Sequence, residues 1–240
     1  MTNGAAAFVL VHGAFHGGWC WRPVAQRLRA AGSDVWAPTL TGLGERAHLL
    51  SPSTNLSAFI EEIARLLDWE KLSQVVLVGH SFGGLVASGV ADRRPERIGR
   101  LVLLDGLVAE SGECALDLLD AATASERRRA AEGLTAPPPD PRAFGVACPE
   151  TAAWMRRRMT PHPLAALSEP LHLAAPPGAG RPCSYIRCVE PAYPAMRKSH
   201  ARAAERRDWR MHTLAACHEA MITDPDAVAD LLLRIAQAPR

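Results

Sequence analysis

The chain has 240 residues, enough to bury one large core, so a single α/β domain with a small insertion is the expected organisation. Hydrophobic residues make up 48% of it and charged residues 22%, a composition that excludes a disordered or fibrous protein. The formal charge of +2, from 27 basic and 25 acidic residues, gives no reason to expect nucleic acid or an anionic membrane as a partner.

The N-terminal segment does not read as a targeting peptide. No basic region precedes its apolar run, which leads into a Gly-rich turn instead of a cleavage site. No stretch reaches the roughly 20 apolar residues of a membrane-spanning helix, so we expect a soluble protein. The 6 cysteines show neither a CxxC pair nor a zinc-like spacing, which favours a reducing cytoplasm.

Strands and helices alternate through the first half of the chain. Short runs of Val, Leu and Ile without polar alternation are typical of parallel strands covered on both faces. The segments between them carry apolar residues at helical spacing. The predicted strands are 8–11, 34–37, 75–78 and 98–104, and the predicted helices are 21–31, 56–67 and 85–92.

The alternation stops between residues 110 and 181. Charged helix-like segments at 125–132 and 151–159 are separated there by Pro-rich linkers, which predicts an inserted helical cap. The alternation then resumes, so residues 1–109 and 182–240 together form the predicted core domain, a mostly parallel sheet with helices on both faces. The resumed elements are strands 184–189 and 210–214 and helices 195–207 and 226–235.

Ser81 is the predicted nucleophile. Residues 79–83 read GHSFG and fit G-x-S-x-G between a buried strand and a helix, which is the context of a nucleophile elbow. Small residues are needed there because larger side chains would collide with the strand and the helix. The competing interpretation, a chance pentapeptide in a Gly-rich turn, does not explain that context.

A serine hydroxyl needs a base, and His218 is the predicted one. It follows the last strand by a short loop, whereas His212 lies within that strand and His200 lies in a charged helix. The alternative is a structural histidine. The N–H groups of Ala14 and Phe82 are the predicted oxyanion hole, because donors of this kind come from the turn after the first strand and from the residue after the nucleophile.

With these motifs, the chain resembles the bacterial esterases of the α/β-hydrolase superfamily that are related to plant methylesterases of the salicylate-ester type and to plant hydroxynitrile lyases. The resemblance spans nearly the whole chain. It is carried by the elbow and by FVLVHGA at 8–14, HGGW at 16–19, PTLTGLGER at 38–46, TPHPL at 160–164 and YIRC at 185–188.

Two positions favour hydrolysis over cyanohydrin cleavage. The resemblance implies that a lyase carries threonine after the first-strand histidine and lysine after the catalytic histidine. This chain has Gly13 and Glu219 at those places. The stretch HEAM at 218–221 is similar to the esterase pattern instead.

The acid that orients His218 is open between two residues. Relatives carry an aspartate soon after the strand at 184–189, but this chain has no aspartate there. Glu190 is the first candidate, because it keeps the chain order Ser, acid, His. Asp105 is the second, because it ends the strand at 98–104 on the same edge of the sheet as Ser81. Solvated-loop and capping roles are the respective alternatives.

The walls of the substrate pocket are the least readable part of the site. Beside the cap and Phe82, the predicted wall residues are His12, Gly13, Trp19 and Met221, since such pockets are mostly apolar. A core role is the alternative for the apolar ones. The arginine runs 127–129 and 156–158 are predicted to be solvated helix faces, with attraction of an acidic substrate as the alternative.

These residues predict a carboxylic-ester hydrolase of small or specialised metabolites, working through an acyl-enzyme on Ser81. Elimination or cyclisation at the same Ser-His site is the alternative within enzymes, and a non-catalytic binding protein is the alternative outside them. No metal or organic cofactor is implied. The expected partner is a small-molecule ester, with no nucleic acid and no membrane, and the sequence leaves a homodimer open.

Overall fold

The structure is a computed structural model that describes residues 6–130, 133–178 and 180–239. Its centre is a six-stranded parallel sheet in the order β2-β1-β3-β4-β7-β8, while β5 and β6 form a separate antiparallel pair. The strands are β1 Ala7–Val11, β2 Asp34–Trp36, β3 Val75–His80, β4 Ile98–Leu104, β5 Thr135–Ala136, β6 His162–Pro163, β7 Cys183–Cys188 and β8 Trp209–Leu214. The helices are α1 Arg22–Ala30, α2 Leu56–Trp69, α3 Gly83–Arg93, α4 Ala121–Arg129, α5 Pro149–Arg156, α6 Leu164–Ser168, α7 Arg197–Glu205, α8 Ala220–Thr223 and α9 Pro225–Gln237.

The central strands are buried on both faces, as their unbroken apolar runs predict. Successive side chains of a strand point to opposite faces, and in β1 Val9 and Val11 join one apolar cluster while Phe8 and Leu10 join another. Helices α2 and α3 complete the first cluster, and α1 and α9 complete the second. Each face of the sheet therefore has its own core.

The predicted α/β architecture is confirmed, with shifts at element ends. Helix α3 begins at Gly83, two residues before the predicted 85, because the turn after β3 leads directly into it. Helix α4 covers 121–129 where 125–132 was predicted, and residues 131 and 132 lie outside the described chain. The β5–β6 pair was not predicted, since two residues per strand carry no periodic signal.

The segment between β4 and β7 is the one for which the sequence predicts a cap. It holds α4, α5 and α6 together with the β5–β6 pair. Leu116, Leu167 and Leu171 of this segment belong to the same apolar cluster as Leu101 and Leu103 of β4. The cap boundaries at 110 and 181 stay a prediction.

The parallel sheet gathers the candidate site residues at one edge. The carboxyl ends of parallel strands lie side by side, and β3 and β4 end in register, with His80 opposite Leu104. Ser81 and Asp105 directly follow these two residues, and Ala14 lies in the turn after β1, three residues beyond Val11. Within the described residues, no helix is long and apolar enough to cross a membrane.

Gly79 provides a test of the close approach between β3 and α3. A Cβ on Gly79 would lie 2.4 Å from the Gly83 carbonyl oxygen and 2.9 Å from Ala87 Cβ. We expect Gly79→Ala to lower the free energy of unfolding by roughly 3 kcal/mol, at the upper end of overpacking costs. Gly32→Ala is the control, because its Cβ would meet no atom within 4 Å and only its positive φ of 87° is strained, at a cost of about 1 kcal/mol. Equal losses for both variants in urea unfolding would contradict this account.

Candidate active site

Ser81 occupies a sharp turn between β3 and α3. Its φ is 51°, in the left-handed region that non-glycine residues rarely adopt. The backbone is held there because the Ser81 N–H donates to the Leu104 carbonyl at 3.3 Å, while the Ser81 carbonyl accepts the N–H groups of Gly84 and Leu107 at 2.9 Å each. The turn thus has the strained and over-determined backbone expected of a nucleophile elbow.

His218 lies beside the Ser81 hydroxyl. Its Nε2 atom is 3.0 Å from Ser81 Oγ, and its side chain is 1% exposed. Because the other ring nitrogen, Nδ1, donates to a carboxylate, Nε2 is the unprotonated nitrogen that can accept the hydroxyl proton. This arrangement is the one that base catalysis at a serine requires.

The carboxylate against His218 belongs to Asp105. Its Oδ2 atom accepts from His218 Nδ1 at 2.7 Å, and the residue is fully buried, with a φ of 42°. Glu190, the first candidate from the sequence, is exposed, and its backbone N–H donates to the Ala216 carbonyl. The sequence interpretation is corrected here: strands β3 and β4 are neighbours, so Asp105 is carried to the site with Ser81, whereas the loop after β7 turns Glu190 to solvent.

Asp105 has a second histidine partner that the sequence reasoning passed over. His200 on α7 donates from Nε2 to Asp105 Oδ1 at 2.6 Å, and the Cys188 N–H donates to the same oxygen at 3.2 Å. The many charged residues of α7 argue against His200 as a site residue. The sequence signal for its burial is the helical spacing to Ala203, since both residues are buried on the inward face of α7.

These contacts fix the charge of the acid. Burial alone would raise the pKa of the Asp105 carboxyl, but the hydrogen bonds and charges of His200 and His218 outweigh it and hold that pKa well below its usual range. Asp105 is therefore ionised at neutral pH. It can hold the tautomer of His218 and stabilise the imidazolium that forms when His218 takes a proton.

Ala14 and Phe82, the two predicted oxyanion donors, line the cavity that lies over Ser81. The backbone N–H groups of Ala14 and Phe82 have no hydrogen-bond partner within the described part of the chain. Gly13 allows the turn to approach the elbow closely, because a Cβ there would lie 2.9 Å from His80 Nδ1 and 3.0 Å from Ser81 Cβ. The oxyanion hole at these two N–H groups stays a prediction.

His12 supports the oxyanion turn from behind. Burial lowers the pKa of His12 to about 3, so its ring is neutral at pH 7. Its Nδ1 donates to the Gly13 carbonyl at 2.8 Å, and its Nε2 accepts the Leu40 N–H at 3.0 Å. In a trans peptide the carbonyl and the following N–H point in opposite directions, so holding the Gly13 carbonyl also directs the Ala14 N–H.

A cavity opens over Ser81, with about 610 Å³ of atom-free space, part of which is open to solvent. Its wall is largely apolar and includes Phe15, Leu107, Phe144 and Tyr193. Of the residues predicted for the wall, Phe82 and Gly13 line this cavity. The remaining three predicted wall residues, His12, Trp19 and Met221, do not line it.

Those three residues pack elsewhere. His12 lies behind the oxyanion turn, fully buried. Trp19 contacts the rings of His16 and Trp154, at centroid distances of 5.2 and 5.1 Å. Met221 lies in the apolar core between the sheet and α9. The predicted pocket roles of Trp19 and Met221 are therefore corrected. Both residues take the core role, which was the alternative.

One arginine of the predicted solvated runs reaches the cavity. Arg127 lines it, with its guanidinium carbon 5.1 Å from the centroid of the Phe15 ring. Arg128 and Arg129 are exposed, as predicted for a solvated helix face. The run 127–129 therefore has one arginine at the cavity and two in solvent.

Two buried ionisable residues meet beside His218. His16 Nε2 lies 3.2 Å from Glu219 Oε2, and both side chains are 1% exposed. His80 is a third buried group: its Nε2 donates to the His218 carbonyl at 2.9 Å, and burial lowers its pKa to about 3. The loop that carries His218 is thereby tied to the elbow.

Among the described residues, one group has ligand atoms close enough together for a metal ion: His80, His218 and Glu219, within 4.8 Å of one another. Both ring nitrogens of His218 are already bonded to Ser81 and Asp105. A metal ion at this group would have to displace one of those contacts, so the donors are better matched to proton transfer than to coordination.

Comparison with known proteins decides the family. The sequence model described as "Alpha/beta hydrolase family" matches residues 8–231. The chain is an alpha/beta hydrolase. This result confirms the resemblance and the fold class that the sequence motifs predicted.

One relative of this hydrolase matches it over nearly its full length. The carbendazim hydrolyzing esterase of Nocardioides sp. (strain SG-4G) is 36% identical over 240 residues, which cover 95% of this chain and 98% of the relative. Methyl jasmonate esterase 1 of Vitis vinifera is 40% identical over 95 residues, but the match covers only 38% of this chain and 35% of that one.

Solved structures repeat the fold of this hydrolase. An extracellular alpha/beta-hydrolase from a Paenibacillus species, described as homologous in structure and function to tobacco salicylic acid binding protein 2, has a TM-score of 0.84 at 23% identity, covering 97% of this chain and 100% of that chain. Tomato methylketone synthase I has a TM-score of 0.79 at 21% identity, covering 97% of each chain. At these identities the likeness speaks for the fold alone.

The position of the acid can be tested by neutral substitutions. We expect Asp105→Asn to lower kcat by roughly 10⁴-fold, because an amide cannot hold the working tautomer of His218 or stabilise its charged form. Glu190→Gln is the matched control and should leave kcat unchanged, since its side chain is exposed. Hydrolysis of an aryl acetate measures both variants. A greater loss in Glu190→Gln than in Asp105→Asn would reverse the assignment.

His200 can be tested in the same assay. His200→Phe removes the donor to Asp105 Oδ1 and keeps a ring of similar size, and we expect kcat to fall about 10-fold to 100-fold as the acid loses its fixed position. His212→Phe is the control, because His212 is a partly buried histidine on β8 whose partner is the Ser184 hydroxyl. If both variants lose activity equally, His200 has no special part in the site.

Proposed function

We propose that this alpha/beta hydrolase is a serine esterase that cleaves carboxylic esters of small metabolites through an acyl-enzyme on Ser81. The observation that carries the proposal is the chain of two contacts through His218, 3.0 Å to Ser81 Oγ and 2.7 Å to Asp105 Oδ2. It brings a nucleophile, a base and an orienting acid into line, as acyl transfer requires.

The first half of the reaction forms the acyl-enzyme. His218 Nε2 takes the proton of Ser81 as Oγ attacks the ester carbon. The carbonyl oxygen becomes an oxyanion, and the N–H groups of Ala14 and Phe82 stabilise it by donating hydrogen bonds. The imidazolium then gives its proton to the alcohol oxygen as the ester bond breaks, so the alcohol leaves neutral. Each oxyanion donor of this kind contributes roughly 10² to 10³ in kcat.

The second half repeats the sequence with water. His218 takes a proton from a water molecule that attacks the acyl carbon, the oxyanion forms again in the same place, and Ser81 recovers its proton as the carboxylic acid leaves. Atoms balance as one ester and one water giving one acid and one alcohol. No oxidant, reductant or cofactor enters.

The relatives support ester hydrolysis as the reaction. The Nocardioides relative matches over nearly the full length of both chains and is named an esterase. Two plant relatives that match over part of their length, methyl jasmonate esterase 1 of Vitis vinifera and methylesterase 1 of Arabidopsis thaliana, are also named for ester hydrolysis. A largely apolar cavity suits an ester of modest size.

One argument favours the lyase alternative. This chain has no aspartate soon after the strand at 184–189, and a triad without its orienting acid would harm hydrolysis more than simple proton transfer. Asp105 fills that place at 2.7 Å from His218. Ester hydrolysis remains the better account.

The predicted cytoplasmic location and a homodimer stay proposals.

A covalent probe tests the nucleophile. We expect a fluorophosphonate to add one adduct to Ser81 of the wild type, and Ser81→Ala to lose both the adduct and roughly 10⁶-fold in aryl acetate turnover. Ser57→Ala, at an exposed serine of α2, is the control and should behave like the wild type. Carbendazim and methyl jasmonate, taken from the relatives' names, extend the substrate panel. An unlabelled wild type, as judged by intact mass, would count against the proposed function.

A further inference from the structure

The buried pair of His16 and Glu219 has no step in the proposed mechanism. His16 lies two residues after the oxyanion donor Ala14, and Glu219 directly follows the base His218. Their side chains are each 1% exposed, and Nε2 and Oε2 are 3.2 Å apart. The pair therefore joins two loops that each carry a part of the reaction.

Each partner favours the ionised form of the other. Burial would lower the pKa of His16, but the charge of Glu219, the contact with it and the hydrogen bond to the Ala14 carbonyl raise that pKa above the ordinary value of 6.5. Burial would likewise raise the pKa of Glu219, but the charge of His16, contact with it and the rings of His80 and His218 lower it to about 2. Two ionised side chains buried this deeply are costly unless they pair with each other.

The second nitrogen of His16 reaches the oxyanion turn. Nδ1 donates to the Ala14 carbonyl at 2.7 Å. The same peptide is held from its other side, since the Phe15 N–H donates to His162 Nδ1 at 3.3 Å, and Phe15 adopts a φ of 69°. The peptide after Ala14 is thus fixed at both its oxygen and its nitrogen.

The peptide before Ala14 is fixed by His12, which holds the Gly13 carbonyl. With the peptides on both sides anchored, the backbone of Ala14 has no rotation left that would move its N–H. The anchor on one side is neutral His12, and the anchor on the other is His16, the partner of Glu219. Only the second depends on a residue from the loop that carries the base.

We infer that the Glu219–His16 ion pair positions the oxyanion turn against the His218 loop, so that the residue after the base sets the direction of the Ala14 N–H. This inference rests on the proposed esterase function and adds a positioning residue to it. His16 and Glu219 both also line the cavity over Ser81, but the role inferred for Glu219 is not a contact with the substrate. Glu219 acts through His16 on the donor that meets the oxyanion.

A single substitution at either end of the pair is the test. Glu219→Gln removes the charge and keeps the shape, and His16→Gln removes the link to the Ala14 carbonyl. Because a displaced oxyanion donor weakens only the transition state, we expect each variant to lose roughly 10-fold to 100-fold in kcat with little change in KM. The double variant should be no worse than the poorer single variant, since both changes break one connection.

A transition-state analogue separates positioning from folding. Phenylboronic acid forms a tetrahedral adduct with a serine, and its inhibition constant should rise by the same factor by which kcat/KM falls. Glu62→Gln is the matched control: it removes a partly buried ion pair with Arg46, and Glu62 does not line the catalytic cavity. That variant should lose thermal stability at most, with kcat and boronic acid inhibition as in the wild type.

Clear results would overturn the inference. If Glu219→Gln and His16→Gln keep wild-type kcat, change only KM, or multiply their losses in the double variant, the pair is structural only. Should Glu219→Gln fail to fold, His16→Gln decides by the same measures. Failure of the esterase function itself would be seen separately, as turnover that survives Ser81→Ala.

Discussion

The rest of the site depends on the buried carboxylate of Asp105. A carboxylate without water is costly unless donors surround it, and Asp105 has three: His218 on one oxygen, His200 and the Cys188 N–H on the other. These donors come from the loop after β8, from α7 and from the end of β7. One charged group thereby ties together segments that lie far apart in sequence, and it sets the ring of the base in the process.

Neutral histidines carry much of the remaining organisation. Burial lowers the pKa values of His12 and His80 to about 3, so both serve as hydrogen-bonding rings without charge. His12 holds the oxyanion turn and His80 holds the loop of the base. A lysine or arginine in either place would bring a permanent charge under the nucleophile. An imidazole makes these hydrogen bonds and stays neutral.

The fold and the central pair of the site could be read from the sequence, because each has a strong local signal. Unbroken apolar runs predicted the parallel strands, and the elbow motif predicted Ser81, now found at a φ of 51°. Chain order then selected His218. The acid could not be chosen in this way, since Glu190 and Asp105 both follow strands of the sheet. What separates them is the course of the chain after each strand, which leaves Glu190 exposed and buries Asp105.

Contacts made by packing were also beyond the sequence. His200 lies in α7, where the many charged residues obscure the pattern of the buried face. The wall of the cavity depends on how the segment between β4 and β7 folds back over the sheet. Trp19 and Met221 illustrate the limit. Both stand close to site residues in the chain, yet their side chains pack into the protein interior.

Placing the acid after β4 has a consequence for how such an enzyme can change. The nucleophile and the acid follow adjacent strands, so the ladder of hydrogen bonds between β3 and β4 fixes their separation. The loop after β7 need not supply the acid, and it supplies Tyr193 to the cavity, where the Tyr193 ring lies 4.7 Å from that of His218. Insertions and deletions in that loop can therefore reshape substrate choice without removing the acid, since the acid belongs to another strand.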